Sequence, residues 1–253
     1  MTRPVLEVIQ AGVVPYAGAL EWQRALAQAR IERQVPHDVL LLLEHPPVVT
    51  LGRNSHQAHV LRPDDKEEVE VFEVERGGDV TFHGPGQLVG YPILDLTGHR
   101  QDLHWYLRTL EQALIEALAT LAVPAERKPG YTGVWTRGGT RKIASIGIHV
   151  KQWVTWHGFA LNVTTDLSYF ERIVPCGIPG VVMTSVERET GNGKRETGNG
   201  ERERALWDRT VAGVIRGFET AFGVTARAAP AAALPITSRG SPGAPHKARA
   251  AWR

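Results

Sequence analysis

The sequence predicts an α+β fold, a mixed or antiparallel sheet with flanking helices. Three observations carry this. Apolar residues recur at helical spacing in three stretches, and short β-rich runs bounded by Gly, Pro and Asn succeed one another between them. The regular strand-helix alternation of a doubly wound sheet is absent. With 253 residues, 42% of them hydrophobic, the chain is long enough to bury a sizeable core.

Taken in order, Tyr16, Leu20, Leu26 and Ile31 mark a first, weaker helix, and Val39 to Leu43 a strand. In EHPPVVTLGR, Pro46 and Pro47 fix an extended chain entering a further strand, which gives His45 a structural role. Glu70 to Glu75 and Leu88 to Leu94 read as strands. RGGDVTFHGPGQLVGYP (76–92), which runs into the second of these, sets five glycines around two presumptive strands. Leu107, Leu110, Leu114, Leu118 and Leu121 define the clearest helix, from about Leu103 to Leu121. Gly133 to Trp135, Lys142 to Val150 and Val154 to Val163 are strands, and Trp207, Val211, Val214, Phe218 and Phe222 form a closing helix.

These elements fit one catalytic domain over 1–226. Two segments stand apart. RETGNGK and RETGNGE (188–201) form a tandem duplication with no apolar residue, expected as a mobile surface loop. Residues 227–253 form a basic tail rich in Ala, Pro and Gly, expected to be disordered.

Lys and Arg number 29 against 27 Asp and Glu. Five of the basic residues (Arg227, Arg239, Lys247, Arg249, Arg253) lie in the tail, so the body carries 24 basic against 27 acidic residues. That balance argues against a nucleic-acid binder. No early apolar run approaches the roughly 20 residues of a membrane span, and no charged-then-apolar signal precedes Val39 to Leu43, so a soluble cytoplasmic protein is expected. A single cysteine, Cys176, excludes an internal disulfide and any zinc site built on two or more thiolates.

Three stretches carry candidate chemistry. In the glycine-rich stretch Arg76 supplies a permanent cation and His83 precedes a Gly-Pro-Gly turn, but neither the dinucleotide spacing nor a GK[ST] phosphate loop is present. In RKIASIGIHV a regular strand would put Lys142 on one face with Ala144, Ile146, Ile148 and Val150, and Ser145, Gly147 and His149 on the other. An ammonium at the head of an apolar face either snorkels or has a function there. In FERIVPCGIPG, Pro175, Gly177, Pro179 and Gly180 place Cys176 on a turn, as a nucleophile requires. A free thiol titrates near pH 8.5, so attack at neutral pH needs a cation or base, from Lys142, His83, His149 or His157. His56 and His59, spaced i, i+3 in a loop-like segment, make a poor metal pair.

EHPPVVTLGR, RGGDVTFHGPGQLVGYPILDL, GVW with RKIASIGIHVKQWVTWHGFALNV, and PCGIPG with MTSV occur in an order that resembles the bacterial lipoyl(octanoyl) transferases, over roughly 6–222. The resemblance implies a fold like the catalytic domains of biotin protein ligase and lipoate ligase. It implies transfer of an octanoyl group from octanoyl-acyl carrier protein to a lysine of lipoyl domains, as in the glycine-cleavage H protein and 2-oxo-acid dehydrogenase subunits, the first step of endogenous lipoate synthesis. It assigns the nucleophile to Cys176 and its partner to Lys142. Substrate contacts map onto Arg76, Gly77, Gly78, Asp79, Val80, Thr81, Phe82 and His83, onto Ser145, Ile146 and Gly147, and onto Gly158, Phe159 and Ala160. Nothing in the sequence demands a metal or organic cofactor, and a monomer is the default expectation. Three alternatives stand beside this reading: an ATP-dependent ligase of the same fold, a Cys176–histidine pair using His83 or His157, and a non-catalytic acyl-protein binding module.

Overall fold

The structure, a computed structural model, describes residues 3–61, 69–191 and 200–231. In chain order the elements are β1 (Val5–Val13), α1 (Tyr16–Ile31), β2 (Asp38–Glu44), β3 (Val48–Leu51), β4 (Glu70–Glu73), β5 (Val80–His83), β6 (Gln87–Ile93), α2 (Leu103–Ala119), β7 (Ala125–Glu126), β8 (Val134–Thr136), β9 (Arg141–Lys151), β10 (Val154–Asn162), β11 (Val182–Met183), α3 (Val186–Glu189), α4 (Gly200–Phe222) and β12 (Thr225–Ala228). A large sheet runs β12-β1-β2-β6-β10-β9-β8-β7, with β11 beside β9, and a small one runs β4-β3-β5. The β1–β2, β1–β12, β3–β4 and β9–β11 pairs are parallel and the other pairs antiparallel, so the α+β mixed-sheet expectation is met.

The large sheet is covered on both faces. Leu40 and Leu42 of β2 pack with Leu110, Leu114, Val214 and Phe218 of α2 and α4. Val39, Leu41 and Leu43 pack on the other face with Ala19, Leu26 and Ala27 of α1. An unbroken apolar run is what a strand buried on both faces needs. The small sheet has its own core, in which Val80 and Phe82 meet Phe170 and Ile173.

Helices α1 and α2 start where the sequence placed them, while α4 begins at Gly200, seven residues before the expected Trp207, and α3 has no counterpart in the sequence reading. Asp102 caps α2 by accepting the Trp105 N–H at 3.0 Å, and its leucines bury one face. Strand β1 has no counterpart in the sequence reading. It pairs with β2 in the single β-α-β unit among the described residues, and a lone unit leaves no alternating pattern to detect.

The body extends past the expected boundary at 226. Arg227 and Ala228 belong to β12, in register with Glu7 and Val8, and the Ala229 N–H donates to the Val8 carbonyl. Within the duplicated segment Arg188 and Glu189 lie in α3 and Glu201 in α4, so its ends are helical; residues 192–199 fall outside the described residues, as do 232–253 of the tail. No helix among the described residues is long and apolar enough to cross a membrane.

Candidate active site

The two sheets and the turn at Pro175–Gly177 close around a pocket of about 340 Å³, with Cys176 and Lys142 in its wall. Cys176 has left-handed backbone angles, φ 57° and ψ 20°. This conformation costs an L-residue about 1 kcal/mol or more and recurs where a side chain must be aimed. Gly177 follows at φ 66° against the Asp79 carboxylate. Asp79 in turn accepts the Val80 N–H at 2.7 Å and faces His59 Nδ1 at 2.6 Å, so one acid braces both loops.

Lys142 is fully buried, 1% exposed, and its Nζ lies 3.0 Å from Cys176 Sγ. The ammonium sits 5.6 Å from the Trp135 ring centroid, a cation–π distance. Ser145 Oγ is 3.5 Å from the same sulfur. The regular-strand expectation for Lys142 fails for a definite reason. Val134 opposes Ala144, yet Trp135 opposes Lys142, so β9 carries one extra residue there. Cross-strand partners share a face and neighbours alternate, so this bulge puts Lys142 on the face opposite Ala144, together with Ser145. Without the bulge the ammonium would point into the α2–α4 core.

Arg76 is buried and donates only to neutral acceptors: Nη2 to the Thr50 carbonyl at 2.7 Å and to Thr50 Oγ1 at 2.9 Å, and Nη1 to the Gly77 carbonyl at 3.1 Å. Burial pushes the Cys176 thiol up, but the Lys142 charge, the Ser145 and Lys142 hydrogen bonds and the Arg76 charge together outweigh it and hold the thiol below its ordinary value. Of the histidines weighed as partners, His83 and His157 line the same pocket, but none of the three bonds to the sulfur. His83 Nδ1 meets Gln87 Oε1 at 2.8 Å, and burial drives its pKa well below the ordinary value. His157 is lowered too, chiefly by burial, and lies 3.8 Å from Glu75. His149 Nδ1 meets the Glu75 carbonyl at 3.1 Å. Among the described residues, Sγ bonds only to Lys142 and Ser145.

Of the residues expected to contact substrate, Arg76, Gly78, Asp79, Thr81, His83, Ser145, Ile146, Gly147, Gly158, Phe159 and Ala160 line the pocket. Gly77, Val80 and Phe82 do not. Strand alternation turns Val80 and Phe82 into the small-sheet core, and Gly77 pins its loop by donating to the Ile148 carbonyl at 2.8 Å. The sequence reading missed Tyr16 and Tyr91 at the pocket wall and the mouth residues Gly130, Tyr131 and Thr132. The turn dipeptide Pro129-Gly130 before the GVW run was the available signal for the mouth loop.

Residues 15–198 match the lipoyl protein ligase A/B catalytic domain. In fold, lipoate-protein ligase A bound with ATP aligns with TM-score 0.60 at 17% identity, covering 91% of this chain and 89% of that one. A bipartite lipoate protein ligase from Thermoplasma acidophilum aligns with TM-score 0.58 at 16% identity, covering 91% and 87%. The class is therefore a lipoyl protein ligase A/B-type catalytic domain. Octanoyltransferases are similar at higher identity: that of Gloeobacter violaceus is 60% identical over 180 residues, covering 71% of this chain and 79% of that protein, and that of Geobacter sulfurreducens 51% over 186 residues, covering 74% and 76%. The chain belongs to the octanoyltransferase family and is an acyltransferase.

Proposed function

We propose that this protein transfers an octanoyl group from octanoyl-acyl carrier protein to a lysine of a lipoyl domain through a thioester on Cys176. The observation that carries the reading is the buried Lys142 ammonium 3.0 Å from a cysteine sulfur in the wall of the pocket. The Cys176 thiolate attacks the donor thioester carbonyl, the carrier sulfur departs, and Lys142 gives it a proton. Neutral Lys142 then accepts the proton of the acceptor amine as that amine attacks the octanoyl-Cys176 carbonyl. Expulsion of the thiolate restores the original ammonium-thiolate pair. One thioester is exchanged for another and then for an amide, so the sequence needs no ATP.

The Gly177 and Ile178 amides are spent on the Val174 and Pro175 carbonyls. The Lys142 and Arg76 charges that bear on the thiol also favour negative charge on the tetrahedral oxygen. The acceptors this reading names are the lysines of lipoyl domains, as in the glycine-cleavage H protein and 2-oxo-acid dehydrogenase subunits.

Intact-protein mass spectrometry after mixing with octanoyl-acyl carrier protein, without ATP or acceptor, tests the reading. A hydroxylamine-sensitive gain of one octanoyl group, absent in Cys176→Ser, is expected. A folded protein that gains no octanoyl group at neutral or mildly alkaline pH, or gains it only with ATP, would sink the proposal.

A further inference from the structure

A second acid, remote from the pocket, is tied to the catalytic lysine through one backbone contact. Glu111 stands on α2, on the face of the large sheet turned away from the pocket, and is fully buried. Its Oε1 accepts the buried Gly133 N–H at 3.0 Å. Its Oε2 accepts from Arg108 Nη1 at 2.7 Å and lies 3.2 Å from Arg127 Nε. Arg127 also donates to the Arg108 carbonyl at 2.8 Å and to Gln112 Oε1 at 2.9 Å, which ties the start of the mouth loop to α2.

Gly133 is the point of contact with the lysine. Its φ of 124° is a glycine conformation, and a Cβ there would lie 2.8 Å from Lys142 Cε and 2.6 Å from the Ala144 carbonyl. The Lys142 side chain therefore runs directly along this backbone. On its far side lies Trp135, whose ring also carries Lys128 Nζ at 4.3 Å. Cys176 Sγ is the one hydrogen-bond acceptor of the ammonium among the described residues, so little besides this packing fixes where Nζ points.

We propose that Glu111 is a positioning residue of acyl transfer, its carboxylate holding Gly133 against the Lys142 side chain so that the ammonium stays over Cys176. This rests on Lys142 and Cys176 acting as proposed above. A carboxylate serving only to neutralise two arginines would have no need of the Gly133 N–H. A misplacement of about 1 Å in a reacting group is enough to cost up to about a hundredfold in rate.

Two variants separate the roles. Glu111→Asp keeps the charge for Arg108 and Arg127 but draws the carboxylate back from Gly133. Glu111→Gln keeps the reach and an acceptor oxygen but loses the charge. Each is compared with the unaltered chain for the rate of octanoyl-enzyme formation, KM for octanoyl-acyl carrier protein, and the pH midpoint of Cys176 alkylation, with Lys142→Met as reference. The charges bearing on that thiol are Lys142 and Arg76. Glu111→Asp is expected to slow acylation about tenfold with little change in KM and to raise the alkylation midpoint, and Glu111→Gln to do both to a smaller degree. The reverse order, or a loss of thermal stability with neither reading moved, overturns the positioning role. An unchanged midpoint in Lys142→Met would instead overturn the Lys142–Cys176 reading itself.

Discussion

At His45 burial decides a protonation state and with it a pH dependence. The ring lies beneath Tyr16 and Tyr91, its Nδ1–H donating to the Val14 carbonyl at 2.6 Å and its Nε2 accepting from the Tyr91 hydroxyl at 2.7 Å. Both nitrogens are used by the neutral ring, and burial lowers the pKa to about 4 despite the Val14 hydrogen bond. The unfolded chain binds a proton near pH 6.5, whereas the native state refuses it until about pH 4. Stability from this group is thus complete above pH 6.5 and lost as pH falls toward 4, by about 2 kcal/mol at pH 5. Urea unfolding at pH 7 and pH 5 should show a smaller loss in His45→Gln than in the unaltered chain. His157, lowered in the same direction with no contribution from His45, cancels in the difference, while His83, which His45 helps to lower, reinforces the smaller loss of the variant. Equal losses in the two proteins would remove His45 as the cause. This network was not legible in advance, because its partners are 31 and 46 residues away, although the twin prolines did mark His45 as structural.

Helix α4 packs on α2 through glycine, and there two effects of known size compete. A Cβ at Gly217 would run into the Ala113 carbonyl, and one at Gly213 would lie 3.1 Å from the Ala117 carbonyl and 2.8 Å from Thr120 Oγ1. Alanine in place of a mid-helix glycine gains roughly 0.8–1 kcal/mol in propensity. Overpacking against another helix costs about 1–3 kcal/mol, and here the obstacle is backbone that cannot rotate away. Gly217→Ala should therefore be destabilising by about 1–2 kcal/mol, read as a lowered urea midpoint with an unchanged slope. A stabilised variant would show that the two helices separate easily. The period of leucines and phenylalanines was enough to locate both helices, because burial against a sheet imposes it. The β9 bulge was not legible: strict alternation puts Lys142 with Ala144, and only the pairing of Trp135 with Lys142 reveals the extra residue. Glu111 was hidden for a related reason, since an acid in a leucine-rich helix reads as a solvated position until Gly133 is found against it.

On the scale of the whole molecule, the pocket is a seam. Thr81 and His83 come from the small sheet, Tyr91, Ser145 and Gly158 from the large one, Tyr16 from α1, and Cys176 from a turn outside both. The separate motifs of the sequence could be assigned to strands and turns, but nothing local to any of them encodes that they converge, because convergence is a property of the sheet order. An octanoyl chain in the seam would therefore cross-link two sheets that otherwise meet mainly through loops. Six methylenes at about 0.8 kcal/mol each amount to ~5 kcal/mol of burial at most, set against the loss of the thiolate-ammonium pair when Cys176 becomes a neutral thioester. For a chain of this size each kcal/mol shifts the melting temperature by about 2–4 °C. The octanoylated protein should then unfold ~5 °C above the free protein, and Cys176→Ser, treated identically, should show no shift. A melting temperature unchanged or lowered by acylation would mean that the chain lies outside the seam, with the pocket walls gaining nothing from it.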